Sequence, residues 1–210
     1  MDEWRDFYQD SKQEVINFWQ ALLIELIKIN PDLIDVDIRK SLFRINRDMR
    51  FVRSWWPYKP RFAIYIAMWW RKSAYAWLYI HIQPWGKSLI AWWCYELDYK
   101  NLQLVRKQIT LSDQELSVIT NNKKFKAIFW QIQGKTRKIL PRWYTTDTPW
   151  SQRLMQDSRY VYKSYTDEQV TSLEFLSQIV SDYKALKPFN NYFNEVIDRK
   201  APFEQIKWYE

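Results

Sequence analysis

The chain has 210 residues and a mass of 26.1 kDa, with 32 Lys or Arg against 24 Asp or Glu and a formal charge of +8. That length supports one substantial core, so residues 1–210 read as a single domain: a helical segment (1–38), a basic motif with a β-meander (39–96) and a mostly helical remainder with short strands (97–210). One cysteine and one histidine exclude an intrachain disulfide and a four-ligand structural zinc site. The acidic, polar start is unlike a secretory signal, and no apolar run reaches the ~18 residues of a membrane span, so the expectation is a cytoplasmic protein with no membrane partner, metal or cofactor.

Ser11 and Glu14 stand at capping-box spacing, and Val15, Phe18, Trp19, Leu22, Leu23, Leu26 and Ile27 follow a ~3.6-residue period, which predicts a first helix ended by Pro31. SLFRI (41–45) reads as a short strand. RFAIYIAM (61–68), AYAWLYIHIQ (74–83) and SLIAWWCYE (88–96) are rich in β-branched and aromatic residues, and the breaks WWRKS and PWGK separate them, so they predict a three-stranded antiparallel meander. A helix from about Asp98 carries Leu102, Val105 and Ile109, and Ser112 with Glu115 repeats the capping-box spacing and opens another. KTRKIL (135–140) reads as a short strand ended by Pro141, Ser151 to Met155 as a helix and YVYKSY (160–165) as a strand. Phe175, Leu176, Ile179, Val180 and Tyr183 share one helical stripe, and a last helix is expected after Pro188. This order predicts an α+β fold: a central, mainly antiparallel sheet with the N-terminal helix and C-terminal helices packed around it.

Glycine and tryptophan occur in inverted proportion, 2 against 14, where an ordinary chain of this length has roughly 15 glycines. The pairs Trp55-Trp56, Trp69-Trp70 and Trp92-Trp93, and Trp85 directly before Gly86, fall at expected turns. Turns often need a positive φ, which glycine adopts without steric cost and an indole-bearing residue does not. Many of these positions are therefore expected to be glycine positions. A UGA codon read as glycine in the cell but translated as tryptophan is one origin, and deliberate glycine removal is another.

Charge is also unevenly placed. Residues 1–38 carry three Lys or Arg and nine acids, whereas Arg39 to Lys72 carry ten Lys or Arg and one acid, Asp48. Arg44, Arg47 and Arg50 with Lys59 gather cations in a short stretch, and a guanidinium fork matches phosphate or carboxylate, so these residues, with Asp48 and Tyr58, form the candidate ligand-binding set. An anionic ligand is the expected partner, either a phosphate-bearing small molecule or a nucleic acid backbone. Pairing of the same arginines with Asp48, Asp35 and Asp37 would instead make a structural network, and the chain a scaffold.

Asp48 lies between two arginines and suits the orienting of a guanidinium. His81, the one histidine, shares a strand face with Tyr79 and Gln83 and is a candidate proton shuttle or a hydrogen-bonded structural residue; these two are the candidate catalytic groups if the chain is an enzyme acting on a phosphorylated small molecule or a nucleic acid. Glu96 could face the same surface, and Cys94, with no cation near it in sequence, reads as inert core. No phosphate-binding loop, dinucleotide fingerprint, nucleophile elbow or zinc-protease motif occurs. Interleaved Tyr58, Tyr65, Tyr75 and Tyr79 with cations keep a single-stranded nucleic acid platform open.

The run Arg44-Ile45-Asn46-Arg47-Asp48-Met49-Arg50-Phe51, followed by Pro57-Tyr58-Lys59, resembles the R-x-x-R-D-x-R-F and P-Y-K hallmark of the family catalogued as domain of unknown function 2461. The resemblance runs nearly end to end, through the strand pair around Tyr79, Leu104-Val105-Arg106, Leu140-Pro141-Arg142 and LKPFNNYF. It implies the fold and no established activity. It also implies glycine where this chain has Trp69, Trp70, Trp77, Trp85, Trp92, Trp93, Trp130 and Trp143. Ser54 and Trp55 stand where such members carry an acid and a lysine.

Overall fold

Four strands make one antiparallel sheet in the order β1-β2-β3-β4: β1 (Phe62–Ile66), β2 (Trp77–Ile82), β3 (Ser88–Cys94) and β4 (Arg159–Tyr165). The computed structural model describes residues 4–50, 56–67, 77–94, 97–142, 144, 148 and 150–198. The helices are α1 (Arg5–Ile29), α2 (Ile38–Ser41), α3 (Tyr99–Asn121), α4 (Lys123–Phe129), α5 (Ser151–Leu154), α6 (Asp167–Thr171) and α7 (Phe175–Asp198). An α+β fold with an N-terminal helix and C-terminal helices around an antiparallel sheet is thus what the chain adopts. Tyr75, Glu96 and the WWRKS break lie outside the described residues, as does the side chain of Cys94.

The chain gathers into two compact units, one of Met1–Ser73, Leu78–Ala91 and Lys163–Lys184, the other of Ala74–Trp77, Trp92–Tyr162 and Ala185–Glu210. In the first, β1 and β2 pair with Tyr65 opposite Tyr79 and Ala63 opposite His81. Strand periodicity puts those four on one face and Phe62, Ile64, Ile66, Leu78 and Ile80 on the other. Tyr8 of α1 stacks on Phe62, and Phe43 packs edge-on against Tyr65 and Tyr79, so β1 is covered on both sides and reads as four consecutive buried residues. Trp19, Leu22 and Leu26 of α1 are fully buried. The second unit has an aromatic core in which Trp92 meets Phe129 edge-on, and Phe125 and Phe189 pack beside them.

Several local expectations change. The first helix begins at Arg5, before Ser11, and its N-cap Trp4 supplies no side-chain bond; the Tyr8 stack on Phe62 rewards helix upstream of the predicted cap. The capping box is instead at Thr166 and Gln169, which open α6. Residue 41 ends α2, capped by Asp37, so the predicted strand SLFRI is reduced to an extended ribbon tied by the bridges Leu42 to Ile64 and Asn46 to Tyr58. KTRKIL forms no regular strand. Single bridges join Gln133 to Tyr160 and Thr136 to Gln156, and between them the chain passes so near Ser158 that a Cβ on Gly134 would lie 1.8 Å from the Ser158 carbonyl oxygen. Ser112 has φ −142° and marks a kink within α3 rather than a separate helix. Pro188 does not start a last helix: α7 runs through it, since buried Tyr183, Leu186, Phe189 and Phe193 hold the stripe continuous and outweigh one lost backbone bond.

Two tryptophans take backbone conformations that favour glycine. In the β2–β3 turn, Trp85 and Gly86 have φ +66° and +64°, a pairing of positive angles found in two-residue hairpin turns, where Asn-Gly is preferred. Their amides both donate to the Asp167 carboxylate, each at 2.9 Å. Trp130 has φ +54° and ψ −71° after α4, and the Gln131 amide donates to the Phe129 carbonyl at 2.5 Å. That is a γ-turn with positive φ, a rare and strained shape for an L-residue. Both indoles are exposed. Trp19 and Trp92, by contrast, are wholly buried as rings.

Candidate functional site

The basic motif builds a concavity of about 350 Å³ lined by Arg44, Asn46, Arg47, Asp48, Lys59 and Arg61. Its floor is the paired ribbon: the Arg47 amide donates to the Pro57 carbonyl and the Lys59 amide to the Ile45 carbonyl, both at 2.8 Å. An extended chain repeats its direction every second residue, so Lys59 and Arg61 share a side on one strand of the ribbon and Arg44, Asn46 and Asp48 on the other. The two Pro residues that bracket Tyr58-Lys59 keep that segment extended.

The charge balance is one-sided. Asp48 accepts from Arg50 Nε at 2.9 Å and Nη2 at 2.7 Å, and Arg50 in turn holds its carboxyl below the usual carboxylate range. Asp37 is used by α2, accepting from the Arg39 and Lys40 amides. Arg44, Arg47, Lys59 and Arg61 form no salt bridge among the described residues, and Lys59 Nζ donates only to the Arg44 carbonyl at 3.1 Å. Burial depresses the Lys59 pKa, and Arg61, Arg44 and Arg47 push it the same way, the mark of cations held together without enough negative charge.

Of the sequence candidates, Arg44, Arg47, Asp48 and Lys59 therefore come together. Arg50 turns outward to Asp48, and Tyr58 is half-buried and joins through its backbone, outside the lining. His81 is not among the residues that line the concavity. Its Nε2 lies 2.6 Å from the Lys87 carbonyl oxygen, which fixes the proton there, so Nδ1 accepts from the Tyr79 hydroxyl at 3.1 Å. Burial first, and Arg61 next among the lowering effects, hold its pKa below the ordinary value despite the Lys87 bond. Both nitrogens are engaged, as suits a residue that fixes Tyr79. Asn46 and Arg61 were missed, although the two-residue spacing from Arg44 to Asn46 and from Lys59 to Arg61 was a usable signal.

A family model described as conserved hypothetical protein matches residues 1–192. The chain belongs to the DUF2461 family. The match takes in all four strands and the whole basic motif, so the concavity is built on the family's own portion of the chain. No curated protein and no solved structure matches. Among the described residues no helix is long and apolar enough to cross a membrane, and no group of three His, Cys, Asp or Glu could hold a metal ion.

Proposed function

We propose that this protein binds an anionic, phosphate-bearing ligand in the cytoplasm through Arg44, Arg47, Lys59 and Arg61. The observation that carries the reading is that four cations line one concavity while Asp48, its one carboxylate among the described residues, is occupied by Arg50. A phosphate entering there offsets both the burial that chiefly depresses the Lys59 pKa and the cation repulsion that adds to it, and it meets guanidinium donors able to bind it at two points. In pyrophosphate titrations followed by thermal unfolding, the parent protein is expected to gain stability in a saturable way. Arg47→Ala should weaken binding about tenfold, equal to ~1.4 kcal/mol. Equal stabilisation of variant and parent would remove the site from consideration.

We also infer that Trp85 and Trp130 occupy glycine positions of this family. Positive φ at both supports this, as does the fact that the two glycines present, Gly86 and Gly134, also have positive φ. Trp130→Gly relieves backbone strain of about 1–3 kcal/mol and costs roughly 0.5–1 kcal/mol in unfolded-state entropy. A net gain of about 1 kcal/mol is expected in urea unfolding. A loss of stability would show that the exposed indole contributes more than the turn strains.

A further inference from the structure

A second basic concavity, about 530 Å³ in volume, lies where the first turns of α3 meet the 137–142 loop, within the second unit. Arg106 stands at its base with 1% of its surface exposed. Its Nε donates to the Leu154 carbonyl and its Nη2 to Asp157, each at 2.9 Å, while Nη1 has no hydrogen-bond partner among the described residues. Asp157 is shared, because Arg137 Nε also donates to it at 2.7 and 2.8 Å. One carboxylate thus serves two guanidinium groups, and Lys138 and Arg142 at the rim form no salt bridge among the described residues.

A guanidinium removed this far from water needs a compensating charge, and half a carboxylate is a poor one. The surplus faces an open cavity of ligand size rather than a packed interior. Apolar and aromatic groups complete the lining: Tyr99 is exposed at the mouth, and Ile139, Leu140 and Pro141 form a wall. We propose that this cavity is a second anion site, distinct from the Arg44–Arg61 cluster, and that it takes a small phosphate monoester. The phosphate sits among Arg106, Arg137, Lys138 and Arg142, and the organic part lies against Tyr99 and the Ile139–Pro141 wall. The apolar wall distinguishes it from the first concavity, whose lining is polar throughout.

The test uses the full chain labelled with nitrogen-15 and phenyl phosphate as probe, with inorganic phosphate beside it. Saturable amide shifts are expected at Gln103 and residues 137–140 and 142, with tighter binding of the phenyl ester. The double substitution Lys138→Gln, Arg142→Gln, at two exposed positions, should weaken phenyl phosphate about tenfold, ~1.4 kcal/mol. Arg47→Ala should leave these shifts unchanged, so loss of the first site and loss of this one are separately visible. Shifts that remain linear to about 10 mM, well past a millimolar Kd, or that persist at equal affinity in the double variant, would overturn the proposal.

Discussion

Asp182→Ala is expected to lower the unfolding free energy by about 3–5 kcal/mol, the cost of stripping a buried ion pair of one member. Asp182 lies on α7 with 4% of its surface exposed. Its Oδ2 accepts from Lys163 Nζ at 2.6 Å and from the Tyr165 hydroxyl at 2.5 Å, and the ammonium also lies 4.9 Å from the Tyr165 ring centroid. Burial, reinforced by Asp182, drives the Tyr165 pKa far above the ordinary tyrosine value, so the phenol keeps its proton and donates. Removing the carboxylate leaves an ammonium that is largely withdrawn from water and a buried hydroxyl, both without their acceptor. The check is a pair of urea unfolding curves near neutral pH. A loss below about 1 kcal/mol would mean that water replaces the carboxylate, as at an exposed pair. Replacing Lys163 and Asp182 together by Met and Leu should recover most of the deficit, because the penalty comes from the unmatched charge rather than from the missing attraction.

Trp92→Gly should cost about 4–5 kcal/mol, opposite in sign to Trp130→Gly. Trp92 has no exposed surface, and its ring meets Phe129 at 5.1 Å between centroids and 84° between planes, an arrangement favoured by aromatic quadrupoles. Its removal opens a cavity inside a rigid aromatic cluster that cannot collapse to fill it. The pair of measurements separates two kinds of tryptophan in one chain. Where the backbone has positive φ the side chain is expected to be a burden, and where a ring fills the core it is expected to stabilise. A stabilising Trp92→Gly would show that the strand prefers close backbone approach at that point.

The basic motif was legible as chemistry because cations crowd between residues 39 and 72 in a way no helix stripe or strand alternation explains. Its partition was not. Arg50 lies in the same run as Arg44 and Arg47 yet reaches back two residues to Asp48, a choice made by side-chain geometry after the chain is folded. Arg61 enters the site because the ribbon pairs Asn46 with Tyr58 and Leu42 with Ile64, and such a register is a property of two segments together. The second cavity was less visible still: Arg106 stands among the buried positions of α3, where a charge reads as a surface residue until Asp157 and the Leu154 carbonyl are found beside it.

Patterns of period two and ~3.6 marked the strands β1 to β4 and the apolar stripes of the long helices, since burial of one face is a local, repeating demand that residues express in their own order. A tight turn's need for positive φ acts on single residues, and Trp85, one of the tryptophans at an expected turn, has such a φ. Only the tertiary structure decided where α1 begins, that α7 continues through Pro188, and which cations lack a counter-charge. Each of those outcomes depends on partners distant in sequence: Phe62 for Tyr8, the aromatic core for Phe189, and one shared carboxylate for Arg106 and Arg137. Packing energy and charge compensation are summed over neighbours in space, and neighbours in space exist only after folding.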